Sequence, residues 1–536
     1  MPASAPIPSP LHAAIDAAAT ALEPRMIEWR RDLHAHPELG NREFRTAGIV
    51  AAHLRSLGFD DVRTEVAVTG VVGLLKGKLP GPVVALRADM DGLPVKERVD
   101  LPFASKVETE WNGETVGVMH ACGHDGHVAI LMAVASVLAG LREQLAGSVK
   151  FIFQPAEELP PEGEEGGAQL MIKQGALENP APDAIFGLHV TSALPTGLIG
   201  YRSGPTMASA DNFRITVEGR QTHGAMPWRG VDPIVAAAQV VLGLQTIVSR
   251  QIDIASEPAV ITIGVIKGGL RENIIPDTVE MRGTIRTFNE EMRNDIHVRV
   301  KETAESISKA SRAGCTVCIH KNYAVTINDA ELTAATLPTL ERVAGAAHVM
   351  TIPKVTGSED FSFYQHVVPG FFYFLGVTPA GQDPAKAAPN HSPLFFIDEA
   401  GLLLGVRSLA QVTVDWLEAN ARIARLTRQI PRRLGDHTRG AGPSRPGGSP
   451  SIFQVAREHA RAPDPSGPRG ENRVALGASE QDARPTLRHR DDVPEERRGL
   501  GEIDACRRVG ARPARGSKAL LDDRGPRRED RLLSED

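Results

Sequence analysis

Residues 119–127 (MHACGHDGH) put three histidines, one cysteine and one aspartate into nine positions. Thiolate and imidazole are the usual ligands of zinc and its neighbours in the transition series. The apolar run that follows, residues 128–138 (VAILMAVASVL), reads as a buried helix. The cluster therefore belongs to the loop entering that helix, where Gly123 and Gly126 are expected to supply unusual backbone angles. Such a loop would fix ligand geometry at low entropic cost, although the same residues would also serve as a polar helix cap. By themselves they do not choose among His120, His124 and His127.

A second group of candidates ends short apolar strands. Residues 149–153 (VKFIF) run into Gln154-Pro155-Ala156-Glu157-Glu158. Two adjacent carboxylates are often a solvated turn, but here Pro155 bends the chain and a strand delivers the pair to a sheet edge. One carboxylate can then hold a cation while the other takes a proton from the water that the cation activates. Residues 83–86 lead in the same way to Asp89 and Asp91, and carboxylates past the end of a buried strand are where α/β proteins place their chemistry. His189 closes the strand at 184–189, where a lone histidine is commonly a satisfied core residue. His391 lies in a loop, Pro389-Asn390-His391-Ser392, before the last long helix.

The elements that must position these residues alternate strand and helix. Two helices over 22–57, strands at 71–75 and 83–86, the central helix, a strand at 149–153, a helix at 168–174 and a strand at 184–189 predict a mainly parallel sheet flanked by helices. After Val190 the pattern changes to strand 212–218, helix 232–250, strands 259–265 and 278–287, and helix 290–310, as expected of an inserted α+β domain. The α/β pattern is read as resuming with a strand at 315–320, a helix at 332–343, a strand at 371–375 and a helix over 394–417. The expected boundaries are an α/β domain at 1–192 and 311–424, an inserted domain at 193–310, and a disordered tail at 425–536 that is rich in Arg, Pro, Gly, Asp and Glu. Cys315 and Cys318, a lone CxxC on a strand, read as core packing.

Composition bounds the function classes. The chain has 536 residues, a hydrophobic share of 42%, a charged share of 24% and a formal charge of −6, which gives no electrostatic case for nucleic acid. Four scattered cysteines do not make a disulfide framework and fit a reducing compartment. No continuous apolar run reaches the roughly eighteen residues of a membrane span, and the N-terminus lacks a secretory pattern. A cytoplasmic protein with no membrane partner is expected.

Nine segments form a series: RRDLHAHPELG (30–40), ALRADMDGLP (85–94), MHACGHDGH (119–127), FQPAEE (153–158), GLHV (187–190), THGAMP (222–227), ENIIPD (272–277), GSEDF (357–361) and NHSP (390–393). In this order the chain resembles the amidohydrolase branch of the binuclear metallopeptidase family that includes aminoacylase, hippurate hydrolase and the indoleacetyl-amino-acid hydrolases. The resemblance covers about residues 22–422. It implies two divalent metal ions per subunit (Zn, Mn, Co or Ni), held by Cys122, His124, Glu158, His189 and His391, with the Cys122 thiolate between them. It implies Glu157 as general base and Asp91 as the residue that orients a ligand imidazole. It implies that the α/β domain is catalytic and that the insert at 193–310 is a lid and dimerisation domain, from which His223 reaches the active site of a partner subunit in a homodimer and stabilises the oxyanion. Asn273 and Arg286 are implied to hold the substrate carboxylate, while His34 and His36 are structural. The reaction implied is hydrolysis of an N-acyl amino acid to a carboxylic acid and an amino acid. A di- or aminopeptidase and a non-catalytic binding protein on the same fold are the alternatives. Asp89, standing where the peptidases carry a histidine, argues against the first.

Overall fold

The computed structural model describes residues 9–158 and 160–429, with side chains to residue 423. An eight-stranded mixed sheet organises the body, in the order Asp61–Val66, Gly70–Lys76, Ala146–Gln154, Leu79–Asp89, Ala184–Pro195, Gly370–Thr378, Ile199–Tyr201, Val349–Thr351. The four strands from Ala146–Gln154 to Gly370–Thr378 run parallel. Parallel strands need both faces covered, and alternate side chains here enter different cores. Leu86, Phe151, Phe186 and Phe371 pack under the helices Leu11–Ala35, His124–Gly140 and Leu402–Gln429. Ala85, Ile152, Ile185 and Phe372 pack instead against Gly167–Lys173 and Phe361–Gln365.

The central helix His124–Gly140 has fourteen of its seventeen residues buried, so it is held by packing on every side. Gly123 caps it at φ +92°, and a Cβ there would lie 2.3 Å from Val190 Cγ2. Gly126, expected to share this role, is an ordinary helical residue without a positive φ.

The insert is a four-stranded antiparallel sheet, in the order Ala259–Gly268, Thr278–Thr287, Ala210–Glu218, Gly314–Tyr323. The helices Pro233–Thr246 and Glu290–Ala310 pack on one face of it. Two expected boundaries move. The strand at 315–320, read as the return of the catalytic domain, pairs instead with Ala210–Glu218 along its length. Its Cys315, Val317 and Ile319 pack on the insert's core, the alternation of a half-covered antiparallel strand rather than a buried parallel one. At the other end, Ile199–Tyr201 belongs to the large sheet, so the insert's sheet occupies 210–323 rather than 193–310.

The first helix starts at Leu11 rather than near residue 22, and the last spans Leu402–Gln429, past the expected limit of 424. The rest of the expected tail, from residue 430, lies outside the described residues. Pro233–Gln251 is long and apolar enough by composition to cross a membrane, with a mean hydropathy of 1.3. Gln239, Gln245, Ser249 and Arg250 interrupt it, so it is not a continuous apolar run. Ala236, Ala237, Val240 and Leu244 of this helix face the insert's core, whereas Ile234, Val235 and Leu242 are exposed.

Candidate active site

The strand ends of the body bring the candidates to one crevice, as the doubly wound geometry requires. Cys122 sits just before the central helix, Glu157 and Glu158 follow the strand Ala146–Gln154, and Asp91 follows Leu79–Asp89. His189 lies within Ala184–Pro195, which continues six residues beyond the expected end. His391 arrives from the last loop, with its backbone at φ +71° and its N–H donating to Ala121 O at 2.8 Å. Ala156, just before the carboxylate pair, is also left-handed at φ +52°. Such backbone costs of order 1–3 kcal/mol each and persists where the surroundings enforce it.

Two triads of ligand atoms share the Cys122 sulfur: Cys122 with His124 and His189, and Cys122 with Glu158 and His391, each set lying within 4.8 Å of one another. Cys122 Sγ is 3.4 Å from His189 Nε2 and 3.2 Å from His391 Nε2, while His391 Nε2 is 2.8 Å from Glu158 Oε1. A third set joins His124 to Glu157 and Glu158.

Hydrogen bonding sets His127 apart, whereas both ring nitrogens of His120, like Nε2 of His124, have no hydrogen-bond partner among the described residues. His127 uses both ring nitrogens: Nε2 accepts from Val190 N–H at 2.8 Å and Nδ1 faces Asp89 Oδ1 at 2.5 Å. His124 directs Nδ1 to Asp91 Oδ1 at 3.1 Å, and its buried Nε2 has no hydrogen-bond partner. His189 directs Nδ1 to Val190 O at 2.7 Å, leaving Nε2 for the thiol side. An orphaned nitrogen in a dry wall, facing carboxylates and a thiol, has the donor chemistry of a divalent transition-metal site. His120 is buried and belongs to no such set; burial takes its pKa down to about 4. His34 is also buried, between Asp125 and Glu97, whereas His36 is exposed beside Asp32.

The electrostatics point the same way. Burial and the neighbouring carboxylates Glu359, Glu158 and Asp360 hold Glu157 well above the ordinary carboxylate range. Burial, Glu158 and Glu157 push the Cys122 thiol up. Burial alone would lower His124, but Asp89 and Asp91 outweigh it and carry the imidazole up to about 10. This is a pocket with too few positive charges for its acids. Part of the deficit is met by Arg87, whose buried guanidinium lies 2.6 Å from Asp89, 2.8 Å from Asp360 and 2.9 Å from Glu359. Arg87, Glu359 and Asp360 fall in quoted motifs, yet sequence alone gave them no role, because only the sheet order brings residues 87 and 360 together.

A cavity of about 450 Å³ opens over the site, lined among others by Cys122, Glu157, Glu158, His189, Arg286 and His391. Arg286, half-buried on the insert's strand Thr278–Thr287, donates to Ser358 Oγ at 3.0 Å. His223 and Asn273 do not line this cavity. Both are exposed, close together on the insert, where Gly224 N–H donates to Asn273 O at 2.8 Å. Cys315 and Cys318, three apart on one strand, point to opposite sheet faces and cannot chelate one ion together.

The family model for peptidase family M20/M25/M40 matches residues 85–415. A relative named thermostable carboxypeptidase 1, from Saccharolobus solfataricus, is 39% identical over 396 residues, covering 74% of this chain and 96% of its own. An N-acetylcysteine deacetylase of Bacillus subtilis is 37% identical over 399 residues, covering 74% and 98%. A solved structure from Bacillus subtilis, described as a dinuclear metal binding peptidase of the M20 family, superposes with a TM-score of 0.62 at 35% identity, covering 74% of this chain and 99% of that one. With a family match over more than half its length and relatives this similar along nearly their whole length, the chain belongs to peptidase family M20/M25/M40 and is a hydrolase of that family.

Proposed function

We propose that this hydrolase is metal-dependent and cleaves the amide bond of N-acyl amino acids, giving a carboxylic acid and a free amino acid. The observation that carries the reading is the pair of ligand triads sharing one cysteine, beside two carboxylates and beneath a cavity that an arginine also lines. Cys122, His124, Glu158, His189 and His391 would hold two divalent cations (Zn, Mn, Co or Ni). Such cations supply Lewis-acid polarisation of the amide carbonyl and lower the pKa of the attacking water.

The chain's own groups do the rest. Glu157 takes the water's proton at a carboxylate oxygen and passes it to the leaving nitrogen. Asp91 orients two parts of the site, accepting from Glu158 N–H at 2.9 Å and facing His124 Nδ1 at 3.1 Å. Arg286 binds the substrate's free carboxylate, which a carboxypeptidase substrate and an N-acyl amino acid share. Asn273 is assigned to the same carboxylate. His223 donates to the developing oxyanion. Because it lies outside this chain's cavity, it would act in the site of a second copy, which makes the working form a homodimer joined through the insert. The exposed apolar side chains Ile234, Val235, Leu242 and Ile266 suit such a contact. On this reading Pro233–Gln251 meets another subunit rather than a lipid phase, and the protein works in the cytoplasm without nucleic acid.

The test is a panel of N-acyl amino acids, hippurate included, against the same compounds with the carboxylate capped as an amide. Each metal-loaded form of the protein is assayed. The free acids should be hydrolysed and the capped compounds should lose most of the rate. Equal rates on both would sink the assignment of Arg286, and preference for a free α-amino group would favour an aminopeptidase.

A further inference from the structure

The loop that carries Glu157 is gripped from both parts of the fold. Three contacts come from the body. Ala156 N–H donates to Glu43 Oε1 at 2.8 Å, Glu158 N–H donates to Asp91 Oδ2 at 2.9 Å, and Asp360 N–H reaches Glu157 Oε1 at 3.4 Å. The fourth contact comes from the insert: the Tyr323 hydroxyl donates to the backbone carbonyl of Glu157.

That carbonyl and the Glu158 N–H belong to one peptide unit, which is planar and turns as a rigid plate. Asp91 therefore holds one edge of the plate and Tyr323 the other. The tilt of this plate sets the directions in which the Glu157 and Glu158 side chains leave the backbone. Ala156 stands in a left-handed conformation just before it, so the loop has little intrinsic preference for the shape it adopts.

Tyr323 is also the last residue of the insert's strand Gly314–Tyr323. Three residues later the chain is back in the body, where Thr326–Asn328 pairs with Gly204–Met207. The side chain lines the cavity together with Glu157 and Arg286. The hydroxyl thus stands where the insert joins the body, and any change in the insert's orientation acts on the plate through it.

We propose that Tyr323 is a positioning residue for Glu157, fixing the peptide between the base and Glu158 and tying its tilt to the orientation of the insert. The proposal rests on the reading of Glu157 as the base.

The experiment is Tyr323→Phe in the full chain, which removes the hydroxyl and keeps the ring. Turnover should fall about tenfold with KM within about twofold, because a misdirected base slows the chemical step and leaves substrate binding alone. The melting temperature should match the wild type, and turnover is compared at saturating metal because the same plate carries Glu158. Amide hydrogen exchange in residues 156–158 should become several-fold faster, with or without metal, while the central helix keeps its protection. Unchanged turnover and exchange would overturn the proposal. A raised KM with unchanged loop exchange would make Tyr323 a substrate contact, and a lower melting temperature with unchanged loop exchange would make it ordinary packing. Either result also overturns it. If Glu157→Gln kept its turnover, the base assignment would fail, whereas faster loop exchange in Tyr323→Phe would still report the grip.

Discussion

In the body, the four central parallel strands are covered on both faces, whereas among the described residues the insert's antiparallel sheet carries helices on one face only. Three of the five proposed metal ligands are buried in the covered body, whereas Glu158 is half-buried and His391 is exposed. Cys122, His124 and His189 are the buried three: Asp91 holds His124 Nδ1, Val190 O holds His189 Nδ1 and Asn390 donates to Cys122 O, which leaves both Nε2 atoms toward the site. On the insert, His223 and Asn273 are exposed, and His223 lies on a two-residue strand, Thr222–His223, paired with Ile274–Ile275. Rigid burial suits atoms that must hold cations at fixed separation. An exposed, lightly paired residue suits a group that meets its target only after a second surface arrives.

The largest effect should come from the body. Glu157→Gln removes a proton acceptor and no proposed ligand, so turnover should fall by about 10²–10⁴ while bound metal stays at the wild-type level. Substantial activity in that variant would place the base elsewhere.

The insert should give the next effect, by a different route. His223→Ala should lower turnover by about 10²–10³ without loss of metal. Leu242→Asp, on the exposed face of the Pro233–Gln251 helix, should separate the copies in sedimentation and lower turnover to a similar degree. A fully active monomer would break the contrast, because the insert would then have no trans-acting residue to offer.

Smaller still is the cost of disturbing the body's packing. Gly123→Ala forces a Cβ against Val190 in a left-handed conformation. It should destabilise the protein by roughly 1–3 kcal/mol, measured by denaturant unfolding. Gly126→Ala, in an ordinary helical position, should be tolerated far better. The smallest effect should be removal of residues 430–536, which lie beyond the family match at 85–415. Hydrolysis rate and melting temperature should both be unchanged.

The same contrast governs how much could be read in advance. The body's elements were legible because its strands are continuous apolar runs and its chemistry is crowded into short segments such as residues 119–127 and 157–158. The sheet of the insert's last strand, Gly314–Tyr323, is not legible in the sequence, since an alternating strand does not announce which neighbour it pairs with. Apart from the family resemblance, nothing local separates His124 from His127; in the structure Val190 N–H, 63 residues away in sequence, occupies His127 Nε2. Arg87 and Tyr323 carried no local signal, because their partners, Asp360 and the Glu157 carbonyl, are brought to them by topology alone.

The most direct test of the central claim, that two cations share the Cys122 thiolate, is metal titration of the stripped protein and of Cys122→Ser. The metal bound per chain is counted in each. The account predicts two tightly bound ions in the wild type, with amide hydrolysis returning as they bind. In Cys122→Ser it predicts markedly weaker binding at both positions, with activity lost in step. Two ions held by Cys122→Ser with wild-type affinity, or full hydrolysis by the stripped protein, would contradict it.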